Sequence, residues 1–104
     1  MFNKKYFLMK KNIAVIMGGY SSEHDISVKS GTTVFNHIDS NLYNPYKVII
    51  DKDNWNLVTS DGVNYPIDRE HFNCTVNDVE INFELVFVMI HGTPGEDGVI
   101  QKYF

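Results

Sequence analysis

Residues 12–17 read Asn-Ile-Ala-Val-Ile-Met and run straight into Gly18-Gly19. A short, unbroken apolar run that stops at glycine is the signature of a strand covered on both faces. Such strands belong to parallel sheets with helices packed against them. The next segment fits that partner. From Asp25 to about Asp39 the spacing changes to four residues, which places Ile26, Ser30, Val34 and Ile38 on one face of an expected helix. Ser30-Gly31 would let that helix sit close to a sheet, and Ser22 with Asp25 has the spacing of a capping box at its start. A second strand is expected over 46–50, after Asn44-Pro45, completing a strand–helix–strand unit.

A third strand is expected over 84–90, where Glu-Leu-Val-Phe-Val-Met-Ile is apolar enough for a sheet interior. The stretch between the second and third strands reads differently. Asp51-Lys52-Asp53-Asn54 is a turn, 55–58 is a short alternating strand, and Asp61-Gly62 is a second turn ahead of Val63-Asn64-Tyr65 and Pro66. Residues 51–81 are thus expected to form an excursion of hairpins outside the main sheet. Tyr43, Tyr46, Trp55, Tyr65 and Phe72 read as packing for those hairpins. The expected fold class is α/β: a Rossmann-like, mostly parallel sheet with flanking helices and a β-hairpin excursion.

At 104 residues the chain is the size of one domain. Its formal charge of −4 offers no basic face to displace counterions from phosphates, so nucleic acid is not an expected partner. No apolar run reaches bilayer length, so neither is a membrane. The start, Met1 to Met9, is too short and too soon interrupted by Lys10 and Lys11 to act as a signal sequence. Residues 1–10 are expected to be an extension, with the domain over 11–104. The single cysteine, Cys74, cannot form an internal disulfide and reads as a small, half-buried residue in a reducing, cytoplasmic setting. The histidines lack metal-ligand spacing, His37 and His71 carry no signal, and His24 reads as a surface or interdomain residue.

Two glycine-bearing loops follow the buried strands and emerge at their carboxyl ends, where open α/β sheets bind ligands. The first is Gly18-Gly19-Tyr20-Ser21-Ser22-Glu23-His24-Asp25. The second is His91-Gly92-Thr93-Pro94-Gly95-Glu96-Asp97-Gly98. Each leads into an expected helix start, which favours an anionic group. Neither is a dinucleotide fingerprint or a phosphate-binding P-loop. Glu96 and Asp97 suit the first turn of a helix beginning near Val99. That helix is unfinished at Phe104, so the chain is expected to be cut within it.

Gly18-Gly19-x-Ser21-Ser22-Glu23-His24-Asp25-Ile26-Ser27, followed by His91-Gly92-Thr93-Pro94-Gly95-Glu96-Asp97-Gly98-x-x-Gln101, resembles the amino-terminal domain of D-alanine–D-alanine ligases, members of the ATP-grasp superfamily. The resemblance implies a pre-ATP-grasp fold and a parent enzyme that joins two D-alanines for peptidoglycan precursors. ATP phosphorylates the carboxylate of the first, and the amine of the second attacks the acylphosphate. It implies that ATP and two magnesium ions are held by domains this chain lacks, so no cofactor is expected here and the fragment is expected to be inactive alone. By motif position, Glu23 would hold the first substrate's ammonium group and His91 would stand beside the same substrate. Gly18, Gly19, Ser22, Gly92, Gly95, Glu96, Asp97 and Gly98 would support the two loops. The implied partners are D-alanine, the remaining ligase domains and, because the family commonly dimerises partly through this domain, a second copy. Second-substrate choice among D-alanine, D-serine and D-lactate would be set elsewhere. The alternative reading is a stand-alone α/β module that binds or senses a small molecule. A flavodoxin-like or nucleotide-binding response domain is disfavoured by the missing phosphate fingerprints.

Overall fold

The computed structural model describes residues 10–20 and 22–90. Most of the expected extension and all of the second loop lie outside the described residues: His91, Gly92, Gly95, Glu96, Asp97, Gly98 and the helix expected from Val99. Eight elements follow in order: β1 (Lys11–Gly18), α1 (His24–His37), β2 (Tyr43–Ile50), β3 (Trp55–Val58), β4 (Asn64–Asp68), β5 (Asn73–Val76), β6 (Val79–Asn82) and β7 (Leu85–Val88). The strands form one sheet in the order β6-β5-β4-β3-β2-β1-β7.

β1 lies between β2 and β7 and is parallel to both. Its apolar run explains this position, because Ala14, Val15, Ile16 and Met17 are all fully buried. Successive side chains of a strand point to opposite faces. Ala14 and Ile16 join Val48, Ile50, Trp55 and Leu57 in the main core. Met17 points the other way, onto α1, where its sulfur accepts from Thr32 Oγ1 at 3.8 Å. Lys47 of β2 shares that second face and places its ammonium 5.5 Å from the Phe35 ring of α1.

The parallel α/β unit is present as expected, but residues 51–81 are no excursion outside the sheet. β3 pairs antiparallel with the free edge of β2, from Lys47↔Val58 to Ile50↔Trp55, and β4, β5 and β6 continue the sheet antiparallel. The parallel pairings are β1 with β2 and β1 with β7, so the sheet is mixed. An unpaired edge on β2 would leave a row of backbone donors and acceptors unsatisfied, and a tight turn returns the chain directly to them. That turn is held by Asp51, whose Oδ1 accepts from the backbone N–H groups of Asp53 (2.9 Å) and Asn54 (2.7 Å). Pro66 marks a change of partner within β4. Residues up to Pro66 pair with β3, and Ile67 and Asp68 pair with β5. The residue without an N–H thus stands at the end of one ladder.

The far hairpin turns on Asn77-Asp78, whose φ values of 51° and 67° give the two-residue turn that matches strand twist. The sheet curls, since Phe83, directly after β6, meets the Tyr46 ring of β2 edge-on at 5.9 Å and the Phe72 ring at 5.6 Å. The expected aromatic packing is therefore found for Tyr46, Trp55, Tyr65 and Phe72, all in or against the core, with Phe83 an unforeseen centre. Cys74 is 1% exposed rather than half-buried, and burial pushes its thiol pKa up.

Two expectations about packing faces are corrected. Ile26 is 60% exposed, and the residues of α1 that are buried are Ser27 and Gly31. The helix meets the sheet through its small residues, on a face displaced by one position from Ile26, Ser30, Val34 and Ile38. β7 is not interior among the described residues. It is an edge strand, with Leu85, Phe87 and Val88 each more than a third exposed.

The turn between β4 and β5 contains an ion pair. His71 Nδ1 donates to Asp68 Oδ2 at 3.0 Å, while Asp68 Oδ1 accepts from the backbone N–H of Glu70. The hydrogen bond from His71 lowers the Asp68 pKa, and the same bond and charge raise that of His71. The His71 contribution to the turn is present while the ring is protonated and fades as pH rises through its raised value. The Asp68 contribution is present while it is ionised and fades as pH falls through its lowered value. The turn is therefore firmest between the two. Asp68→Asn should bring the His71 midpoint down toward its ordinary 6.5 in an NMR titration. An unmoved midpoint would show that the pair does not form in solution.

Candidate functional site

The carboxyl end of β1 is built for a tight turn. Gly18 and Gly19 have φ values of 102° and 110°, a region that residues with a Cβ rarely adopt. A Cβ on Gly18 would also collide with the Ile50 carbonyl at the end of β2 and sit 3.0 Å from His24 Nε2. The Gly19 N–H donates to the same Ile50 carbonyl at 2.7 Å. These contacts press the loop against the sheet and deliver the chain to α1.

Glu23 is the first residue of that delivery. It is the N-cap of α1 and is exposed, and its carbonyl accepts the first helical bond from Ser27 N–H at 2.9 Å. The capping box expected from Ser22 and Asp25 is not formed. The cap has no side-chain hydrogen bond, Ser22 lies exposed in the turn, and Asp25 Oδ1 instead faces His24 Nδ1 at 3.3 Å. With Glu23 itself at the cap, Ser22 lies one residue too early to reach the N-terminal amides. The structure thus places Gly18, Gly19, Ser22 and Glu23 together at the carboxyl end of β1. His91 and its glycines lie outside the described residues.

Three residues of the site were not read from the sequence. Ser27 is the buried polar residue of the core, at 0% exposure. Its Oγ accepts from the Gly18 N–H at 3.0 Å and donates to the Met89 carbonyl at 2.5 Å. Tyr20 presents its hydroxyl to Trp55 Nε1, which donates at 3.2 Å, and the Arg69 guanidinium lies 4.0 Å over the Trp55 ring. The loop is thereby tied to β3 and to the β4–β5 turn. His24, read as a surface or interdomain residue, is half-buried, and its Nε2 is a buried atom without a hydrogen-bond partner. Gly19, Tyr20 and His24 line one side of an open surface depression whose other side is Asp51, Lys52, Asp53 and Asn54. Two sequence signals stood at Ser27: it closes the first motif, and it lies four residues before Gly31, so that two small residues share one helix face.

Among the described residues no group of three or more His, Cys, Asp or Glu side chains is placed to hold a metal ion. No described helix is long and apolar enough to cross a membrane.

Comparison with known proteins bears on this geometry. Residues 12–104 match the family described as "D-ala D-ala ligase N-terminus". A protein of Christiangramia forsetii named D-alanine--D-alanine ligase is 52% identical over 95 residues, which is 91% of this chain and 29% of that protein. A protein of the same name from Flavobacterium johnsoniae is 51% identical over 94 residues, again 29% of its length. Among solved structures, the VanG D-Ala:D-Ser ligase of Enterococcus faecalis superposes with a TM-score of 0.75 at 29% identity. That match covers 92% of this chain and 33% of the other. D-alanyl-alanine synthetase A of Vibrio cholerae gives 0.74 at 27% identity, covering 90% and 28%. The chain therefore spans about a third or less of each of these relatives.

Proposed function

The chain belongs to the family of D-alanine–D-alanine ligase amino-terminal domains, and from that premise we propose that it forms one wall of the first D-alanine site in an ATP-dependent ligase making D-alanyl-D-alanine. The observation that supports this reading is the β1–α1 junction. A strand buried from Ala14 to Met17, two glycines pressed against β2 and a buried serine fix the loop that presents Glu23 at the start of α1.

A D-alanine zwitterion taken from water needs a negative partner for its ammonium group, and a carboxylate on a rigid junction supplies one. Glu23 accepts hydrogen bonds from the ammonium and orients the substrate carboxylate for activation. It transfers no proton, so its effect is one of position and charge. His91 stands two residues after Met89 in sequence and is assigned to the same substrate, where an imidazole can donate a hydrogen bond in either protonation state. Gly18, Gly19 and Ser22 serve the first loop, and Gly92, Gly95, Glu96, Asp97 and Gly98 the second. ATP with magnesium supplies the phosphoryl group that activates the carboxylate, and we assign both to the remainder of the ligase. The dipeptide would enter peptidoglycan precursors in the cytoplasm. D-Alanine is the preferred second substrate on the strength of the two relatives identical at about half their matched positions.

The test is a chimera in which residues 11–104 replace the matching segment of the Christiangramia forsetii relative. The expected result is ATP-dependent formation of D-alanyl-D-alanine at a rate within about tenfold of that relative, as for packed segments exchanged with their contacts largely kept. A folded chimera that binds ATP normally yet makes no dipeptide would rule the reading out.

A further inference from the structure

We propose that Ser27 is a positioning residue for the first D-alanine: its hydroxyl clasps the ends of β1 and β7, and so holds in place the loop that carries Glu23. The inference rests on the functional reading above. It adds to that reading a residue that faces no ligand.

The geometry is specific to a hydroxyl. Ser27 Oγ accepts from the Gly18 N–H on one side and donates to the Met89 carbonyl on the other. Gly18 is the last residue of β1, five residues before Glu23, and Met89 follows the end of β7 and precedes His91 by two. Ser27 itself is anchored one helical turn past Glu23 through the Glu23 carbonyl. A single oxygen therefore joins three segments, two of which lead directly to the proposed substrate residues. The Met89 N–H also donates to the Ile16 carbonyl at 2.7 Å, so the β7 exit is held through both the N–H and the carbonyl of one residue. Ser27 is 0% exposed, which leaves no room for a solvent molecule to take over both bonds without displacing α1.

A buried hydroxyl that satisfies one backbone donor and one backbone acceptor could be purely structural. A positioning role differs in where its loss is felt. Without the clasp, the loop carrying Glu23 can shift against the end of β7, and a shift of an ångström at a substrate-holding group is felt strongly in binding and rate. The ATP site, assigned to other parts of the ligase, has no reason to change.

The experiment uses Ser27→Ala in two settings. In the 104-residue chain, hydrogen exchange followed by NMR should show the Gly18 amide exchanging at least about tenfold faster in Ser27→Ala, with the Ile16 and Val48 amides unchanged. In the ligase chimera, Ser27→Ala should raise KM for the first D-alanine on the order of tenfold while KM for ATP stays within about twofold. Unchanged Gly18 exchange in Ser27→Ala would overturn the clasp. Faster exchange with an unchanged KM for D-alanine would overturn the positioning role and leave a structural serine. If the unsubstituted chimera makes no dipeptide, it is the functional reading that fails, and Gly18 exchange alone still decides the clasp.

Discussion

Replacing Glu23 by glutamine should raise KM for the first D-alanine by about 30-fold in the active ligase and leave kcat within about threefold. The size follows from exchanging a charge-assisted hydrogen bond for a neutral one, a loss of about 2 kcal/mol, with tenfold per 1.4 kcal/mol. The division between KM and kcat follows from the proposed role. The ammonium group is bound in the ground state and in the transition state alike, so removing its partner weakens both. Glutamine keeps the length and one carbonyl acceptor, and Glu23 lies exposed at the N-cap, so the fold should be kept. Propionate, which resembles alanine without its amine, provides the control. As a competitor for the first site it should bind wild type and Glu23→Gln equally. If Glu23→Gln weakened propionate as much as D-alanine, the carboxylate would be shaping the loop rather than meeting the ammonium. The same substitution should leave the pH dependence of kcat in place, because Glu23 moves no proton.

Such a test was open from the sequence because the motif residues of the first loop are local. Residues 12–17 announce a buried strand, Gly18-Gly19 announces the turn, and Glu23 follows at a fixed distance along the chain; all three are found where that order puts them. What was not legible depends on partners far apart in sequence. The antiparallel strands β3 to β6 looked like a separate excursion because alternation reveals a strand but not the edge it joins. That edge, on β2, became available only because β1 lies on the other side of β2. The helix face was misjudged for a related reason. Ile26 has the larger apolar surface, but α1 approaches the sheet so closely that only Ser27 and Gly31 fit beneath it. Asn77-Asp78 was missed because a two-residue turn usually shows itself by a glycine, and here two polar residues take the positive φ values instead. Tyr20 and Trp55 are 35 positions apart, and no local pattern joins them.

The close approach of α1 leads to the second large effect. Gly31→Ala should lower the stability of the chain by about 1–3 kcal/mol, or about 5–15 °C in Tm, measured by thermal unfolding followed by circular dichroism. In an unpacked helix the same change would stabilise by about 1 kcal/mol, so even the direction is informative. The reason is steric. A Cβ on Gly31 would lie 2.6 Å from the Met17 Cβ, 2.9 Å from its Cε and 3.0 Å from its sulfur. The thioether end could swing aside, but the Met17 Cβ is fixed to β1, and Met17 is fully buried. Relief must come from moving the helix away from the strand. Met17→Ala should therefore fail to rescue Gly31→Ala, since it removes the sulfur and leaves the Cβ. A rescue would mean that the crowding lies in the side chain and that helix and strand are further apart than the structure has them. The displacement also has a consequence at the site. Ser27 is one turn earlier on the same helix face, and its 3.0 Å bond to the Gly18 N–H survives only while α1 stays close to β1. Gly31→Ala at low temperature, where the chain is still folded, should then speed Gly18 amide exchange as Ser27→Ala does. Glycine at 31 sets the depth at which the helix lies, and that depth is what brings the serine within reach of the loop.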